Sequence, residues 1–558
     1  MSIRTPIKHA ARRHLSPGTR QRVRRVQRML LRRITGGRYA RLARARTAFE
    51  AGDYETAARL LTEVLDRRPD HTEALRWASR VAMRRGAVTD AATFAMKSVA
   101  DKRTAMDLQN ARHLMGRLRE TDAHWQPIVS TSFAPDPEGG KGVLYLAKES
   151  RPFLHNGFCT RTHESLQSLA RSGWDVTGVT MPGFPAVLGV ADAPSVSVVE
   201  DVEYQHLLPR AGGLVKTLAF DEYVDLSTQV LAGLVARRRP ALLHVGSGHR
   251  GFETALVGNA VARWAGVPWI YEVRSFFETT WTADARYREQ GEYYERRFST
   301  ETRMMRAADL VITLSGPMRD EIANAHGIPT EKLRVVPNAV DLDRFRPRDR
   351  DLTVRQRLGL TDTFTLGYVS NLSHPREGQE VLIDAVARLV RTGRAVSGLL
   401  VGDGARRSEL ESLARKLGVE RHIIFAGNIP FDEVAQYYAQ IDLFVVPRIN
   451  ERAARMVSPM KPFEAMAMNI PVLLADLPAL QEIAGAGERA HTFRTGDPQS
   501  LAREAEDLMD APAEIARMVD AARRWVEAER SWASVASAFG AAYEELLGAR
   551  VSGMGRGA

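Results

Sequence analysis

Residues 423–448 read IIFAGNIPFDEVAQYYAQIDLFVVPR, and this stretch decides the fold class. Two short apolar runs, at 423–425 and 443–446, lie on either side of a stretch of helical character at 431–440. Apolar runs of strand length joined through a helix are typical of parallel strands that are buried on both faces. The stretch therefore predicts a parallel sheet covered by helices.

The same alternation extends over two regions of the chain, and it begins again after Pro337. The apolar runs of strand length lie at 143–146, 176–179, 242–245, 268–273, 310–313, 366–369, 399–401, 423–425, 443–446 and 472–474. We therefore predict an α/β protein with two doubly wound, Rossmann-like domains, at 141–336 and 337–529. Two such domains place a ligand site in the cleft between them, near the carboxyl ends of the strands.

Length and composition bound the class of protein. The chain has 558 residues, too many for one ordinary domain, and its 44% hydrophobic and 26% charged residues exclude a wholly disordered chain. A single cysteine, Cys159, excludes a disulfide framework and fits a reducing compartment. Without an apolar run of membrane-spanning length or a signal-type segment, we expect a cytoplasmic protein.

The net charge of +11 is concentrated at the N-terminus, because residues 1–49 hold 15 Lys and Arg and no acidic residue. Val23, Val26, Leu30 and Ile34 form one apolar stripe of a helix that arginines surround. We predict that residues 1–40 are a basic amphipathic tail that lies on an anionic membrane at the inner face of the cell membrane. Packing of the stripe on neighbouring helices is the alternative, and nucleic acid is disfavoured because no aromatic residue interleaves with the arginines.

An internal repeat of 34 residues follows the tail. It relates Gly52 to Gly86, Ala57 to Ala91, Ala58 to Ala92 and Leu60 to Phe94. This period, with small residues where paired helices touch, resembles the tetratricopeptide repeat. We expect helical repeats over 41–130 that act either as a spacer or as a groove for a protein partner.

Several segments occur in the order of one known family. VPNAVDLDRFRP (336–347), GYVSNLSHPREGQEVLIDAV (367–386), LLVGDGARRSELESLA (399–414), the opening stretch and SPMKPFEAMAMNIPVLLAD (458–476) together resemble the nucleotide-sugar half of a family-four, retaining GT-B glycosyltransferase. NGFCTRTHESLQSLARSGWDVTGVT (156–180) and GVPWIYEVRSFFE (266–278) are similar to its acceptor half. The resemblance covers about 143–548, and it implies that a C-terminal helix at 530–548 returns to the first domain.

The resemblance implies a retaining glycosyltransferase of polysaccharide or cell-envelope biosynthesis. Its donor would be a UDP- or GDP-linked sugar and its acceptor a glycan, a glycolipid or a polyprenyl-linked molecule. The leaving phosphate would itself take the acceptor proton. Cations and helix ends can take the role of a metal, so the resemblance implies neither a cofactor nor a metal. A sugar-nucleotide epimerase of the same architecture and a non-catalytic repeat scaffold are the alternatives.

The predicted donor site centres on the start of a helix. Free backbone N–H groups around Ser458 can hold phosphate, and Lys461 adds a positive charge beside them. Glu464 matches the family carboxylate that accepts hydrogen bonds from ribose hydroxyls. A charge pair at an amphipathic helix start is the alternative. The family usually has another glutamate eight residues earlier, where this chain has Met456, which leaves the donor sugar open.

Other predicted contacts come from loops after strands. Arg376 would reach a phosphate or else pair with Glu377 or Glu380. Three glycines in such loops would allow the backbone to approach the phosphate or base closely, and Asn428 follows one of them. The further predicted donor contacts are therefore Gly157, Gly402, Gly427 and Asn428.

The first half supplies the remaining predictions. His249 lies past a strand end and is expected to face the reacting sugar, as a catalytic residue together with Lys461 and Glu464. Arg274 and Glu278 are expected to hold the acceptor. For Arg274, a buried salt bridge with a carboxylate is an equal alternative.

Overall fold

The computed structural model describes residues 38–100, 104–130, 142–360 and 363–554, and it divides into two compact units. One unit combines the chain up to Trp125 with residues 219–222 and 279–298. The other contains residues 126–218, 223–278 and the chain from Ser299 onward. The predicted helix at 20–34 of the basic tail lies outside the described residues.

The first unit contains paired helices. They are α1 (Arg38–Glu50), α2 (Tyr54–Leu65), α3 (Thr72–Arg84), α4 (Val88–Ser98) and α5 (Ala105–Glu120). Gly52 and Gly86 occupy the turns within the two helix pairs, with φ of 78° and 79°, a left-handed conformation that favours glycine. The 34-residue repeat therefore corresponds to the same turn formed twice.

Residues 279–298 pack against these turns within the same unit. The backbone N–H of Tyr293 donates to the Gly86 carbonyl at 2.8 Å, and the Glu292 carboxylate accepts from the Thr89 N–H at 2.9 Å. Arg286 donates to the Gly52 carbonyl at 2.9 Å. A segment that follows a strand of the first α/β domain thus completes the helical unit.

The second unit begins with an eight-stranded sheet in the order β3-β4-β2-β1-β5-β6-β7-β8. All its neighbouring strands are parallel except β3 and β4. The strands are β1 (Val143–Ala147), β2 (Val176–Thr180), β3 (Val196–Val199), β4 (Val202–His206), β5 (Leu242–Gly246), β6 (Trp269–Glu272), β7 (Leu310–Thr313) and β8 (Leu333–Val335). The helices that belong to this part of the chain are α6 (Gly157–Arg171), α7 (Gly212–Val215), α8 (Phe220–Arg238), α9 (Glu253–Ala265), α10 (Glu292–Ala307) and α11 (Gly316–His326).

The same unit continues with a six-stranded parallel sheet in the order β11-β10-β9-β12-β13-β14. Its strands are β9 (Phe364–Val369), β10 (Val396–Val401), β11 (Ile423–Gly427), β12 (Leu443–Val446), β13 (Val472–Ala475) and β14 (His491–Phe493). Its helices are α12 (Leu352–Arg357), α13 (Gln379–Arg391), α14 (Arg407–Lys416), α15 (Val434–Tyr438), α16 (Arg452–Met456), α17 (Lys461–Ala467), α18 (Pro478–Ala484), α19 (Pro498–Met509) and α20 (Pro512–Glu529). The predicted α/β architecture with two Rossmann-like sheets is confirmed.

The last helix, α21 (Trp532–Met554), packs on the first sheet. Phe539 and Tyr543 are fully buried there in one apolar cluster with Tyr145 of β1. The Tyr543 hydroxyl also lies 2.7 Å from Nδ1 of His244, inside the core. Among the helices of the described ranges, none is both long and apolar enough to cross a bilayer.

Candidate active site

Glu464 lies in the first turns of α17, where Pro462 fits the helix start. The hydroxyl of Tyr438 donates to Oε2 of Glu464 at 2.5 Å. Tyr438 is fully buried, and its ring stacks on Phe444 with centroids 5.4 Å apart. Lys461 and Glu464 are both partly exposed. A buried tyrosine therefore orients one oxygen of a carboxylate that solvent and ligands can still reach.

A hydrogen bond from the linker between the two α/β domains, at residues 337–338, holds the loop before α17. Nδ2 of Asn338 donates to the carbonyl of Ser458 at 2.7 Å, and both residues are buried. Arg161 of α6 in turn donates to the carbonyl of Pro337 at 2.7 Å and to Oδ1 of Asn338 at 3.2 Å. These bonds tie a helix on the first sheet to the predicted donor loop.

Gly157 also meets this loop. It is the first residue of α6, and the preceding Asn156 accepts a hydrogen bond from the backbone N–H of Cys159 at 2.9 Å. A Cβ built on Gly157 would lie 3.3 Å from Cε of Met460, the residue before Lys461. The structure therefore brings Gly157, Ser458 and Lys461 into one region, in which the start of α6 faces the loop between α16 and α17.

Met456, at the position of the usual family glutamate, is only 8% exposed. Its carbonyl accepts a hydrogen bond from the Ser315 hydroxyl at 2.6 Å. Met456 therefore contributes its carbonyl to a contact between α16 and the start of α11, and its side chain offers no polar group to a ligand.

Gly402 and Gly427 form a second cluster at the ends of β10 and β11. Gly402 has a φ of 131°, and a Cβ there would lie 1.9 Å from the carbonyl oxygen of Ser370. Its N–H donates to the Gly427 carbonyl at 2.9 Å. Asn428, the next residue, is exposed. Only glycine fits at Gly402, and the turn fixes the backbone that leads to Asn428.

Arg448, which follows β12, is a site residue that the sequence reasoning missed. Its Nε lies 3.3 Å from Oε2 of Glu377, and its Nη1 donates to the carbonyl of Val457 at 3.0 Å. The Tyr368 hydroxyl donates to the same Glu377 carboxylate. The signal was present as the arginine that ends the run VVPR at 445–448, but its partner lies 71 residues earlier in the chain.

The charge of Glu377 follows from these neighbours. Burial alone would raise the pKa of this carboxyl, but Arg448, the Tyr368 hydroxyl, Arg376 and Lys461 together lower the pKa to about 2. Nε of Arg376 lies 3.5 Å from Oε1 of Glu377, so the ion pair left open by the sequence is present. About a third of the Arg376 side chain is nevertheless exposed.

His249 follows the end of β5 in the first sheet and is exposed. Desolvation by the surrounding protein lowers the pKa of His249, and the positive charges of Lys148 and Arg250 act in the same direction. Glu253 and Glu149 oppose this shift. The imidazole is therefore held toward its neutral form, in which it can both donate and accept a hydrogen bond.

Arg274 and Glu278 are engaged in ion pairs. Nη2 of Arg274 lies 2.8 Å from Oε2 of Glu272, a fully buried carboxylate that also pairs with Nε of Arg161 at 2.7 Å. Glu278 accepts from Nη1 of Arg452, at 2.8 Å, and is 1% exposed. For Arg274 the buried salt bridge that the sequence left open is thus present, and Glu278 joins the first α/β domain to α16.

Family models match both α/β domains. Residues 156–339 match the model of a glycosyl transferase 4-like domain, and residues 363–511 match that of glycosyl transferases group 1. The two matches together cover more than half of the chain. This chain belongs to the group 1 glycosyltransferases with the GT-B architecture. Residues 42–103 additionally match a tetratricopeptide repeat model, as the 34-residue period predicts.

Curated relatives of this chain are similar to it over part of their length. The GDP-mannose-dependent alpha-(1-6)-phosphatidylinositol monomannoside mannosyltransferase of Mycolicibacterium smegmatis is 31% identical over 246 residues, which are 44% of this chain and 63% of the relative. The 2-deoxystreptamine glucosyltransferase of Streptomyces kanamyceticus is 27% identical over 44% of this chain and 62% of its own length. The chain thus spans less than two thirds of these relatives.

Solved structures share the fold of this chain. Sucrose-phosphate synthase from Thermosynechococcus elongatus superposes with a TM-score of 0.57 at 22% identity, over 76% of this chain and all of its own. HepE from Anabaena, in complex with UDP, superposes with a TM-score of 0.56 at 19% identity, over 73% of this chain and all of its own. At these identities the likeness concerns the fold alone.

Proposed function

We propose that the protein transfers a sugar from a UDP- or GDP-linked donor to a glycan, a glycolipid or a polyprenyl-linked acceptor, with retention of configuration. The observation that carries the proposal is the Glu464 carboxylate, which Tyr438 orients one turn after Lys461. In this proposal Glu464 binds the ribose hydroxyls of the donor, and Lys461 binds the diphosphate.

Charge stabilisation is the main task of such a site, because the diphosphate leaves with growing negative charge. Lys461 and the exposed part of Arg376 supply positive charge in the second α/β domain. Gly157 lets the backbone of the first domain approach close to Met460, and thus to the same phosphate. The proposal therefore includes neither a metal nor a cofactor.

Proton transfer in the proposed reaction needs no strong base. The departing phosphate oxygen takes the proton of the acceptor hydroxyl on the face where the new bond forms. His249 donates a hydrogen bond to the reacting sugar, and a neutral imidazole fits this role. The protein contributes mainly orientation and electrostatics.

The relatives support the class of substrate. The mannosyltransferase of Mycolicibacterium smegmatis is named for GDP-mannose and a phosphatidylinositol mannoside, and a Streptomyces scabiei relative, 26% identical over 61% of this chain and 80% of its own length, is named D-inositol 3-phosphate glycosyltransferase. The first name gives a nucleotide sugar as the donor, and both names give a phosphorylated inositol compound as the acceptor.

Release of nucleoside diphosphate from a panel of UDP- and GDP-sugars tests the proposal. We expect release to depend on an added acceptor and to fall at least about a hundredfold in Glu464→Gln, in line with the loss of a charged contact to the bound donor. Release without an acceptor, or interconversion of the sugar without transfer, would favour an epimerase. Unchanged release in Glu464→Gln would contradict the proposed site.

The tail at 1–40 adds a membrane component to the proposal. Its arginines and apolar stripe favour binding to the inner face of the cell membrane, where a lipid-linked acceptor would be presented. Sedimentation with anionic liposomes measures this directly. We expect deletion of residues 1–38 to abolish co-sedimentation, and equal sedimentation of both chains would refute the membrane role.

A further inference from the structure

A small pocket opens at the carboxyl ends of β1 and β5, in the first α/β domain. Two cationic side chains line it, Lys148 and Arg274, together with polar and aromatic groups from Tyr145, Phe158 and Ser247. None of the predicted donor residues of the second domain is among the residues that line it. The pocket is therefore a feature of the half of the site that faces the acceptor.

Lys148 carries the unusual feature of this pocket. Its Nζ lies 3.6 Å from the ring centroid of Phe158 and 5.1 Å from that of Phe277. Within the described part of the chain, the ammonium group has no hydrogen-bonded or ion-paired partner. Desolvation lowers the pKa of Lys148, although Glu149 and Glu253 act against it. A half-buried ammonium that only aromatic rings contact directly is costly unless a ligand compensates it.

Arg274 gives the pocket a second and rigid positive charge. Its Nη1 donates to the carbonyl of Phe158 at 3.1 Å and to Oγ1 of Thr162 at 2.9 Å, while Glu272 holds Nε at 3.0 Å. Glu272 is shared with Arg161, so one carboxylate balances two guanidinium groups. The buried cluster behind the pocket therefore has an excess of positive charge.

The remaining carboxylate of the pocket does not remove this excess. Glu149 lines the pocket, but its Oε1 accepts from Nδ2 of Asn156 at 2.6 Å, and so it is directed toward the loop before α6. Glu253 also acts on Lys148, and the charge of Arg250 accompanies it. Lys148, Arg161, Arg250 and Arg274 thus carry four positive charges against three on Glu149, Glu253 and Glu272. One negative charge would complete the balance of the cluster.

We infer that this pocket binds an oxyanion of the phosphate type that the acceptor carries, with Lys148 as its principal ligand. The inference rests on the proposed transferase function and specifies the acceptor's chemistry. Its support is that first-domain residues alone line the pocket and that Lys148 is close enough to His249 to act on its charge. In this arrangement the pocket takes the charged group of the acceptor and leaves the acceptor hydroxyl toward His249.

Phosphate binding to the full chain tests this inference. Calorimetric titration with inorganic phosphate at constant ionic strength is compared for the wild type, Lys148→Met, Lys148→Arg and Lys416→Met. Lys416 is an exposed lysine of α14 and serves as the matched control. We expect phosphate affinity to fall at least about tenfold in Lys148→Met, to be retained in Lys148→Arg and to be unchanged in Lys416→Met.

Binding of UDP and GDP to the same proteins separates the donor from the acceptor. We expect less than about a twofold change for Lys148→Met, since the donor is held by the second domain. An equal loss of nucleotide and phosphate affinity in Lys148→Met would assign Lys148 to the donor and overturn the inference. Phosphate affinity that is unchanged in Lys148→Met, or no phosphate binding by the wild type, would also overturn it. Lys148-dependent phosphate binding in a chain that binds no nucleotide would instead refute the proposed transferase function.

Two competitors identify the source of the oxyanion. Glucose 1-phosphate represents a soluble sugar phosphate, and a short polyprenyl phosphate in detergent micelles represents a lipid-linked one. Displacement of inorganic phosphate by either compound, lost in Lys148→Met, supports the inference and selects that source. Failure of both to displace it would overturn the assignment to an acceptor.

Discussion

At the scale of single residues, the site depends on buried groups that orient exposed ones. Tyr438 is fully buried and holds the partly exposed Glu464. Likewise, Tyr368 and Arg448 hold the buried Glu377, which pairs with the partly exposed Arg376. A hydrogen bond to a charged group contributes about 1.5–3 kcal/mol, enough to keep a carboxylate in one orientation. Ligand affinity should therefore respond to residues that never touch the ligand.

Tyr438→Phe tests this dependence. The substitution removes only the hydroxyl that donates to Glu464, so the carboxylate gains freedom before the donor binds. We expect a donor affinity about three- to tenfold weaker with an almost unchanged thermal midpoint. Tyr437→Phe is the matched control, because the hydroxyl of Tyr437 in the same helix bonds to Arg357 instead. Equal donor affinities for the two variants, measured by calorimetry, would contradict this role of Tyr438.

The pKa of Glu377 is lowered to about 2, and this predicts how the stability of the fold depends on pH. A carboxyl whose pKa is lower in the folded than in the unfolded protein stabilises the fold above its unfolded pKa and loses this effect as the pH falls toward the folded value. The wild type should therefore be more stable than Glu377→Gln at pH 6, by about 2–3 kcal/mol, and the difference should shrink between pH 4.5 and pH 3. Thermal midpoints of both proteins across this range measure it, and a constant difference would count against the ion pair with Arg448.

At the scale of elements, turns after strands place the site backbone. The carbonyl of Ser370 is so close to Gly402 that no side chain fits there, and the same glycine bonds to Gly427 at the end of β11. The loop that carries Asn428 is thus fixed by a contact between two turns. Substitution of the glycine must move at least one of them.

Gly402→Ala is expected to destabilise the second α/β domain and to weaken nucleotide binding together. Gly418→Ala is the control, since Gly418 also has a positive φ, 72°, but nothing lies within 4 Å of its added Cβ. The control should cost about 1–2 kcal/mol from backbone strain alone, and Gly402→Ala should cost clearly more. Thermal unfolding with and without UDP or GDP compares them, and similar losses in both variants would refute the steric argument.

The sequence predicted the strands whose residues are buried on both faces, and it missed strands at the edges of the two sheets. The run at 143–146 became β1, all of whose residues are buried. By contrast, β3 is antiparallel to its neighbour and alternates exposed with half-buried residues, and β14 has only three residues. Short or half-exposed strands lack the continuous apolar run on which the prediction depended.

For the candidate site, the sequence indicated which residues to consider but not which side chains contact each other. The grouping of Gly157 with the loop before Lys461 depends on two loops that are distant in the chain. Arg448 and Lys148 carried no motif, because their roles come from a carboxylate and two aromatic rings supplied by other segments. Long-range contacts of this kind cannot be derived from local spacing.

At the scale of the whole molecule, a chain of buried bonds links the two sheets of the second unit. Glu272 pairs with Arg161, which bonds to the linker at Asn338, and Asn338 bonds to the carbonyl of Ser458. Ser458 precedes Lys461 in the proposed donor loop. The pocket lined by Lys148 and Arg274 and the proposed donor loop are therefore joined through the linker by buried hydrogen bonds and ion pairs.

Calorimetric titration of UDP and GDP into the full-length wild type, Lys461→Met and Glu464→Gln tests the central claim most directly. The account predicts saturable binding of one nucleotide by the wild type and an affinity at least about tenfold weaker in each variant, because each loses a charged contact to the diphosphate or the ribose. Nucleotide binding of equal strength in all three proteins would contradict it, and so would a folded wild type that binds neither nucleotide.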